Sequence, residues 1–282
     1  MKKIGIFLNR ERDPQLESAR HAATELVRRG ALVYFDLSYN AELSDTDAEF
    51  ISHRDMLETS DLIVALGGDG TILKIIKDAA CFDTPVMGIN LGHLGFLTQA
   101  EKGDDSIFDK IANGDYTVNH FMMLKAVVYK NNKPQESSIA LNDIILRGNN
   151  AKMISLEVEI DGTIANRYLA DGIIAATSIG STAYSLSCGG PIVHQGLDCI
   201  LLTPVCPHTL KARCIAVPPN SKIILRFDAN YCSETDLKAD GVAIGHLLDG
   251  DYIEIAAADM RAPLAMVNDR SYFDVIRKKL SD

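Results

Sequence analysis

The first candidate for chemistry is a glycine-rich turn that follows the apolar run Leu62–Leu66. The turn consists of Gly67, Gly68, Asp69, Gly70 and Thr71. Glycines let the backbone approach a ligand closely, and free N–H groups at the start of a following helix attract phosphate. Asp69 would repel a bare phosphate, so it indicates work on a hydroxyl or on a metal beside the phosphates. A tight strand-to-helix turn with Asp69 as the N-cap explains the same pattern. The spacing matches neither the P-loop nor the usual dinucleotide-binding fingerprint.

The second candidate is a cluster of small hydroxyl side chains between Ala170 and Pro191, which also contains Gly180 and Tyr184. Ser and Thr both donate and accept hydrogen bonds, and a tyrosine is able to stack on a base or bond to a sugar. The cluster therefore suits a polar ligand, although a helix N-cap followed by a loop explains part of it. A nucleophilic serine is not indicated, because Ser181 does not lie in a G-x-S-x-G elbow.

Two further polar features interrupt apolar segments. Asn142 and Asp143 fall inside the apolar run Leu141–Leu146, where polar groups are costly unless they find partners. Either a ligand contact or a strand end that faces solvent explains them. His208 is interpreted as structural, because no second histidine or carboxylate lies at metal-ligand spacing.

The elements that position these residues alternate in the first part of the chain. Apolar strands are predicted at Lys3–Leu8, Ala31–Phe35, Leu62–Leu66 and Pro85–Ile89. A helix with apolar residues from Leu16 to Val27 ends at Gly30. Strands that alternate with helices predict an α/β domain in which helices flank a parallel sheet.

From about Phe121 the pattern changes to strands without intervening helices. They are predicted at Lys125–Tyr129, Ile139–Leu146, Ile154–Ile160, Ile164–Leu169, Gly172–Ala176, Ile223–Phe227 and Tyr252–Ala256. The Asp161-Gly162 pair predicts a hairpin. The polar stretch Glu101–Tyr116 is interpreted as the connection, which gives an α/β domain over 1–100 and a β-rich domain over 101–282. A terminal helix is predicted near Phe273–Lys279. One arrangement for this C-terminal segment, about residues 270–282, is that it packs back on the first domain.

Composition limits the possible partners. The chain has 282 residues, of which 47% are hydrophobic, and a formal net charge of −10. This acidic balance opposes broad binding to nucleic acid or to an anionic membrane, so a phosphate must be held locally. No apolar run approaches the roughly 18 residues of a membrane span, and the first ten residues do not read as a secretory signal. We therefore expect a cytoplasmic protein.

The cysteines argue against a zinc site. The six of them form no C-x-x-C pair and lie in mostly apolar segments. We interpret them as reduced, structural thiols.

Taken together, these motifs resemble those of the NAD kinase family over most of the chain. The matching segments are Gly67–Thr71, Gly88–Thr98, Asn142-Asp143 where the family usually has Asn-Glu, Asp171-Gly172, Gly180–Pro191 and Thr203–Leu210. Diacylglycerol kinases, sphingosine kinases and phosphofructokinases carry similar glycine-rich turns, whereas the Gly180–Pro191 run is characteristic of NAD kinases. The chain departs from the family at Ser178 and Ile179, which replace a proline and a hydroxyl-bearing threonine.

The resemblance implies transfer of a phosphoryl group from ATP to the 2′-hydroxyl of the adenosine ribose of NAD, which gives NADP. It implies Asp69 as the general base or orienting acceptor. It also implies Mg²⁺ or another divalent cation held chiefly by the phosphates of ATP, with no metal ligand assigned in the protein. The residues that it implies for nucleotide binding are Gly67, Gly68, Gly70, Thr71, Asn142, Asp143, Lys152, Asp171, Thr182, Ala183, Tyr184, Ser185 and Ser187. Members of the family are commonly dimers or tetramers, so a homo-oligomer is expected.

Two alternatives share these motifs. A lipid kinase of the diacylglycerol type would use the same turn, but the acidic balance and the lack of a basic amphipathic helix oppose it. The other alternative is a nucleotide sensor without catalytic activity. The intact Gly67–Thr71 turn favours an enzyme over such a sensor.

Overall fold

The computed structural model describes residues 1–92, 95–149, 152–209, 211–228, 234–267 and 271–280. Cys232 and the motif residues His93, Leu94 and Leu210 lie outside these ranges. The chain divides into two compact units. The first unit is Met1–His120 together with Ala262–Asp282, and the second is Phe121–Arg261.

The secondary structure follows the alternation expected from the sequence in the first part of the chain. The strands are β1 (Lys3–Leu8), β2 (Leu32–Asp36), β3 (Glu49–Ile51), β4 (Leu62–Gly67), β5 (Val86–Asn90), β6 (Thr98–Glu101), β7 (Tyr116–Lys130), β8 (Lys133–Ala140), β9 (Asp143–Gly148), β10 (Ile154–Ile160), β11 (Thr163–Ala170), β12 (Gly172–Ala176), β13 (Ile200–Val205), β14 (Ile215–Val217), β15 (Ile223–Asp228), β16 (Thr235–Ala239), β17 (Val242–Gly245) and β18 (Tyr252–Val267). The helices are α1 (Glu17–Arg28), α2 (Asn40–Leu43), α3 (His53–Thr59), α4 (Asp69–Ala80), α5 (Ser106–Asn113), α6 (Tyr184–Ser187) and α7 (Tyr272–Leu280).

The first unit is built on a parallel sheet. Five strands lie in the order β3-β2-β1-β4-β5, and each neighbouring pair is parallel. β4 is buried along its whole length, which requires that both faces of the sheet be covered. Helices α1 and α4 each turn a buried apolar stripe toward the core. The strand order reverses between β1 and β4, and in open α/β sheets ligands bind at the carboxyl ends of the strands beside such a reversal.

The second unit is mostly β. One sheet has the order β14-β13-β12-β9-β16-β17 with antiparallel neighbours. Antiparallel pairs also join β11 to β10, β10 to β15, and β15 to the start of β18. Buried side chains such as Leu146, Leu156, Ile173 and Leu225 belong to one core cluster. The fold class is therefore a parallel α/β domain and a β-rich domain, as the sequence predicted.

The predicted hairpin at Asp161-Gly162 is confirmed. Ile160 pairs with Thr163 across the turn between β10 and β11. Asp161 has a φ of 49° and Gly162 a φ of 80°, and a type I′ hairpin turn needs positive φ at both central residues.

The structure differs from the predicted domain boundaries in two places. The stretch Glu101–Tyr116 contains α5, which buries Ile107, Phe108 and Ile111 in the core of the first unit, so that unit extends to His120 rather than to residue 100. The C-terminal segment from Ala262 also falls in the first unit.

The predicted strand Ile139–Leu146 is two strands. β8 ends at Ala140 and β9 begins at Asp143. The separation places Asn142 in the gap between them, where its side chain is half-buried.

Among the described residues, no helix combines the length and the apolar composition needed to cross a membrane. Five cysteines are described, and all five carry free thiols. Burial raises the pKa of the Cys188, Cys199 and Cys214 thiols, so these three are less reactive as nucleophiles than exposed thiols.

Candidate active site

The glycine-rich turn joins β4 to α4 at the carboxyl edge of the parallel sheet. Gly68 is the N-cap of α4 and Asp69 is its first residue, so the interpretation of Asp69 as the N-cap is wrong. A Cβ on Gly67 would overlap the Oγ1 of Thr71, because the strand end packs closely on the helix. Apart from its chain neighbours and the nearby backbone of α4, no atom of the described residues lies within 4 Å of the place that a Cβ on Gly70 would take. The turn is therefore open at Gly70, and the first N–H groups of the helix, which have no intrahelical partner, are available to an anion.

Asp69 is held in a fixed direction by the segment that follows β5. Its Oδ2 accepts a hydrogen bond from the backbone N–H of Phe96 at 2.8 Å, and its Oδ1 accepts one from Leu97 at 3.0 Å. A Cβ on Gly95 would overlap the Asp69 carboxylate. The carboxylate is thus fixed by backbone donors on one side, and glycine is required where the chain passes it.

Thr71 connects the turn to the loop that follows β1. Its Oγ1 accepts a hydrogen bond from the Asn9 Nδ2 at 3.0 Å, and its side chain is fully buried. The Thr71 hydroxyl therefore holds the turn against a neighbouring loop, and nucleotide binding by Thr71 stays a prediction.

A cavity of about 680 Å³ opens on the second unit. This volume is typical of sites for small molecules and cofactors. The residues that line it are Asn142, Asp143, Ile145, Arg147, Gly148, Asn149, Ala183, Tyr184, Asp236, Lys238, Asp240 and Gly241. Asn142, Asp143, Ala183 and Tyr184 were predicted from the sequence as nucleotide-binding residues, and the fold brings these four together.

Asp240 fixes the backbone of the Asn142–Asp143 pair. Its carboxylate accepts hydrogen bonds from the N–H groups of Leu141 at 2.9 Å, Asn142 at 2.8 Å and Asp143 at 3.2 Å. The N–H of Asp240 donates in turn to the carbonyl oxygen of Asp143 at 3.0 Å. Hydrogen bonds to an ionised carboxylate are stronger than neutral ones, so the floor of the cavity is held firmly at this point.

Asp143 is a buried carboxyl on the cavity wall. Only 4% of its surface is exposed. Burial, and next the nearby Asp240 carboxylate, raise the pKa of Asp143 from 3.8 to about 7. With a pKa of about 7, part of the Asp143 population is protonated at neutral pH, and the protonated form both donates and accepts hydrogen bonds. A carboxyl with so strong a shift inside a cavity is a typical functional-site residue.

One cation of the cavity lining, Arg147, lies beside Tyr184. The Nη1 of Arg147 donates a hydrogen bond to the Tyr184 hydroxyl at 3.3 Å. Lys238 and Asp236 are exposed residues of β16 that line the same cavity. The wall therefore offers an aromatic ring together with cations, which suits a ligand that carries both a base and phosphates.

Most hydroxyls of the predicted cluster bind the protein itself. The Oγ1 of Thr182 donates to the carbonyl oxygen of Ile179 at 3.1 Å. Ser185 is fully buried, and its Oγ shares a 2.8 Å hydrogen bond with the Oγ1 of Thr203. Ser187 is exposed and is not part of the cavity lining. The helix-and-loop explanation of this cluster therefore holds for Thr182 and Ser185.

Ser178 and Ile179 are buried. The Oγ of Ser178 donates to the carbonyl oxygen of Gln195 at 3.3 Å. The two positions at which the chain departs from the resembled family thus contribute to packing.

The remaining candidates lie outside the cavity lining. Asp171 stands between β11 and β12, where its carbonyl oxygen accepts from the N–H of Gly148 at 3.0 Å. Lys152 is exposed, and its carbonyl oxygen occupies the space that a Cβ on Gly148 would need. His208 is exposed. Ligand binding by Lys152 and Asp171 stays a prediction.

Sequence reasoning missed several residues that shape these sites. Asp240 is the most informative of them, because the Asp240-Gly241 pair is a hairpin-turn signal between β16 and β17 that could have been recognised. Gly95, Phe96 and Leu97 belong to a motif segment that was recognised, but nothing local indicates that they hold Asp69.

These features define a class of protein: a nucleotide-binding α/β unit with an anion-binding turn at the reversal of strand order, joined in one chain to a β-rich unit with a polar ligand cavity. Comparison with known proteins gives the family. Residues 4–116 match the model described as the ATP-NAD kinase N-terminal domain, and residues 141–267 match the ATP-NAD kinase C-terminal domain. The chain belongs to the ATP-NAD kinase family.

Individual relatives agree along the whole chain. The NAD kinase of Symbiobacterium thermophilum is 38% identical over 283 residues, which covers 100% of this chain and 99% of the relative, and the NAD kinase of Thermoanaerobacter sp. is 38% identical over 285 residues with 100% of both covered. Among solved structures, yeast NADH kinase complexed with NADH superposes with a TM-score of 0.83 at 28% identity, covering 100% of this chain and 88% of that one. The NAD kinase from Archaeoglobus fulgidus in complex with ATP gives 0.74 at 26% identity, covering 99% and 98%.

Proposed function

We propose that this protein is an NAD kinase, which transfers a phosphoryl group from ATP to the 2′-hydroxyl of the adenosine ribose of NAD. The observation that carries the proposal is the fixed carboxylate of Asp69 at the open edge of a glycine-rich turn. Family membership and the full-length relatives support the same activity. They give no support to the lipid kinase or to the nucleotide sensor.

Asp69 acts on the accepting hydroxyl. With both oxygens oriented by the N–H groups of Phe96 and Leu97, the carboxylate keeps lone pairs free to accept the hydrogen bond of the 2′-hydroxyl. It then takes the proton as the oxygen attacks the γ-phosphorus, or it aligns the hydroxyl for that attack. As the new O–P bond forms, the bond between the γ-phosphorus and the bridging oxygen breaks, and ADP leaves with the electron pair of that bond. Such positioned proton transfer contributes about 10² to 10⁴ in rate.

The turn binds the phosphates of ATP through the N–H groups at the start of α4. Among the described residues, no group of three or more His, Cys, Asp or Glu side chains is placed to hold a metal ion. We propose that a Mg²⁺ ion enters with the phosphates of ATP as part of the substrate. The ion would supply neutralisation of the phosphate charge.

The cavity of the second unit binds the adenosine end of NAD. Asn142 and Asp143 offer an amide and a carboxyl that pair with hydroxyls and ring nitrogens, and Tyr184 offers a ring face. Their common placement on one cavity wall supports this assignment.

The deciding experiment is to incubate the purified protein with NAD, MgATP and, separately, 2′-deoxyadenosine NAD. We expect NADP from NAD and no phosphorylated product from the deoxy analogue. The analogue should still bind within roughly tenfold of NAD, since one neutral hydrogen bond contributes about 1 kcal/mol. A product from the analogue would place the accepting oxygen elsewhere and would exclude the role of Asp69.

Oligomerisation and compartment belong to the same proposal. We propose a homo-oligomer in the cytoplasm, and light scattering of the purified chain tests the first point. Parallel assays with NADH and with polyphosphate define which acceptor and donor the enzyme uses.

A further inference from the structure

The loop after β1 places an arginine at the reversal of strand order. β1 ends at Leu8, and the loop that follows contains Arg10 and Arg12. Because β1 and β4 are the neighbouring strands on either side of the reversal, this loop and the glycine-rich turn share the edge at which such sheets bind nucleotides.

The residues on either side of Arg12 hold the loop in place. The Asn9 side chain donates to the Thr71 Oγ1, and the Asn9 carbonyl oxygen accepts from the N–H groups of Arg12 and Asp13, both at 3.0 Å. Asp13 is 5% exposed, and its carboxylate accepts from the N–H of Ala19 at 3.0 Å, near the start of α1. The backbone of Arg12 is thus fixed between two anchors.

The side chain of Arg12 extends over the loop that follows β5. A Cβ placed on Gly92 would lie 3.8 Å from the Arg12 Nη1. The N–H of Gly92 donates to the Asn90 Oδ1 at 3.1 Å, and that oxygen lies 3.8 Å from the position of a Cβ on Gly68. The guanidinium therefore belongs to the surroundings of the glycine-rich turn.

Arg10 and Arg12 differ in their partners. Arg10 forms an ion pair with Glu42, and its guanidinium lies 5.7 Å from the centre of the Tyr39 ring. Arg12 is exposed, and within the described part of the chain it has no ion-pair partner. Of the two, only Arg12 is available to pair with an anion, and a guanidinium binds phosphate oxygens in a bidentate manner.

We propose that Arg12 binds the phosphates of the donor nucleotide and sets the affinity for ATP. The inference rests on the proposed function, since it assigns the ligand of the glycine-rich turn to ATP. Arg12 supplies the positive charge that the acidic chain lacks overall, beside a turn whose own donors are neutral N–H groups.

The test compares three variants in steady-state assays with NAD and MgATP. Arg12→Ala should raise the KM for MgATP by about 10- to 100-fold, as expected for loss of hydrogen bonds to a charged group, and should leave the KM for NAD within about twofold of the normal value. Arg12→Lys should restore part of the ATP affinity, because the charge returns without the bidentate geometry. Arg10→Ala is the matched control from the same loop, and it should leave both KM values unchanged.

Direct titration of MgATP by calorimetry separates this proposal from the proposed function. If the normal protein forms no NADP but Arg12→Ala still weakens MgATP binding, the role of Arg12 stands and the proposed reaction fails. If Arg12→Ala leaves MgATP affinity unchanged, the assignment is wrong. Equal losses of NAD and MgATP affinity, or a lowered melting temperature with no selective loss, would show that Arg12 only maintains the loop, and would also overturn it.

Discussion

Replacing Asp143 by asparagine should stabilise the protein, and more so as the pH rises. Asp143 is buried, and burial together with Asp240 raises its pKa from 3.8 to about 7. Between these two values the folded protein holds a proton that the unfolded chain has released. The free energy of unfolding therefore contains a contribution from Asp143 that is fully present below about pH 4 and is lost as the pH rises to 7 and above.

The size of this effect follows from the shift of the pKa. A shift of about three units corresponds to about 4 kcal/mol in total, and roughly 2 to 3 kcal/mol of it falls between pH 5 and pH 8. Asparagine has nearly the same shape and does not ionise. The difference in the free energy of unfolding between Asp143→Asn and the normal protein should therefore grow by roughly 2 to 3 kcal/mol from pH 5 to pH 8 in favour of the variant.

Urea denaturation of the ligand-free protein at pH 5, 6, 7 and 8 measures this difference. Asp236→Asn is the control, because Asp236 is an exposed carboxyl that lines the same cavity. A surface change of this kind is expected to alter stability by less than about 0.5 kcal/mol at every pH. If the Asp143→Asn difference does not vary with pH, the carboxyl is ionised throughout and the reasoning from burial is refuted.

Five further substitutions, in three experiments, test the geometry of the two sites. Asp69→Asn should lower turnover by about 10² to 10⁴. It should also cost about 1 to 3 kcal/mol of stability, because an amide accepts only one of the two backbone hydrogen bonds and leaves the other N–H unpaired. Unchanged turnover would show that Asp69 only anchors a loop. Gly67→Ala should destabilise the protein by about 1 to 3 kcal/mol through overlap with the helix. Gly70→Ala should leave the melting temperature nearly unchanged and weaken only MgATP binding. Equal melting temperatures for the two variants would contradict this difference between the two glycines. Ser185→Ala should lower stability by about 1 to 2 kcal/mol without changing the KM for NAD. Tyr184→Ala should raise that KM, because it removes the ring face. The opposite pattern would place the ligand against Ser185 instead of Tyr184.

The sequence predicted best those strands that have a clear apolar or alternating pattern and end at turn residues. β1, β10 and β12 have the predicted ends. β1 and β12 are mainly apolar, whereas β10 alternates between apolar and polar residues, and in each the local pattern agrees with the observed burial.

Elements whose stability comes from distant pairing were missed. β17 is largely exposed and forms because it pairs with β16, so its own residues carry little strand signal. α5 lies in a stretch rich in charged residues, and its three buried residues, Ile107, Phe108 and Ile111, are too few to stand out against them.

Prediction of the site residues from the sequence has the same limit, because contacts between distant parts of the chain are not visible in it. The sequence identified candidate ligand-binding residues, such as Asp69 and Asn142, because glycine turns and polar residues in apolar segments are local signals. It did not identify the groups that orient them. Asp240 lies far along the chain from the Asn142–Asp143 pair, and such pairings become visible only when the sheet brings β9 and β16 together.

The carboxylate in an anion-binding turn, which is anomalous in the sequence, has a physical explanation in the structure. Asp69 does not consume the donors of its own helix, since both its oxygens are met by N–H groups of the segment after β5. The N–H groups that begin α4 remain for phosphate, and the loop after β1 adds the guanidinium of Arg12 on the same edge. The carboxylate of Asp69 is thus met by donors that lie outside the turn. In the proposed function, this separation lets one short turn hold a polyanion and act on a hydroxyl at the same time.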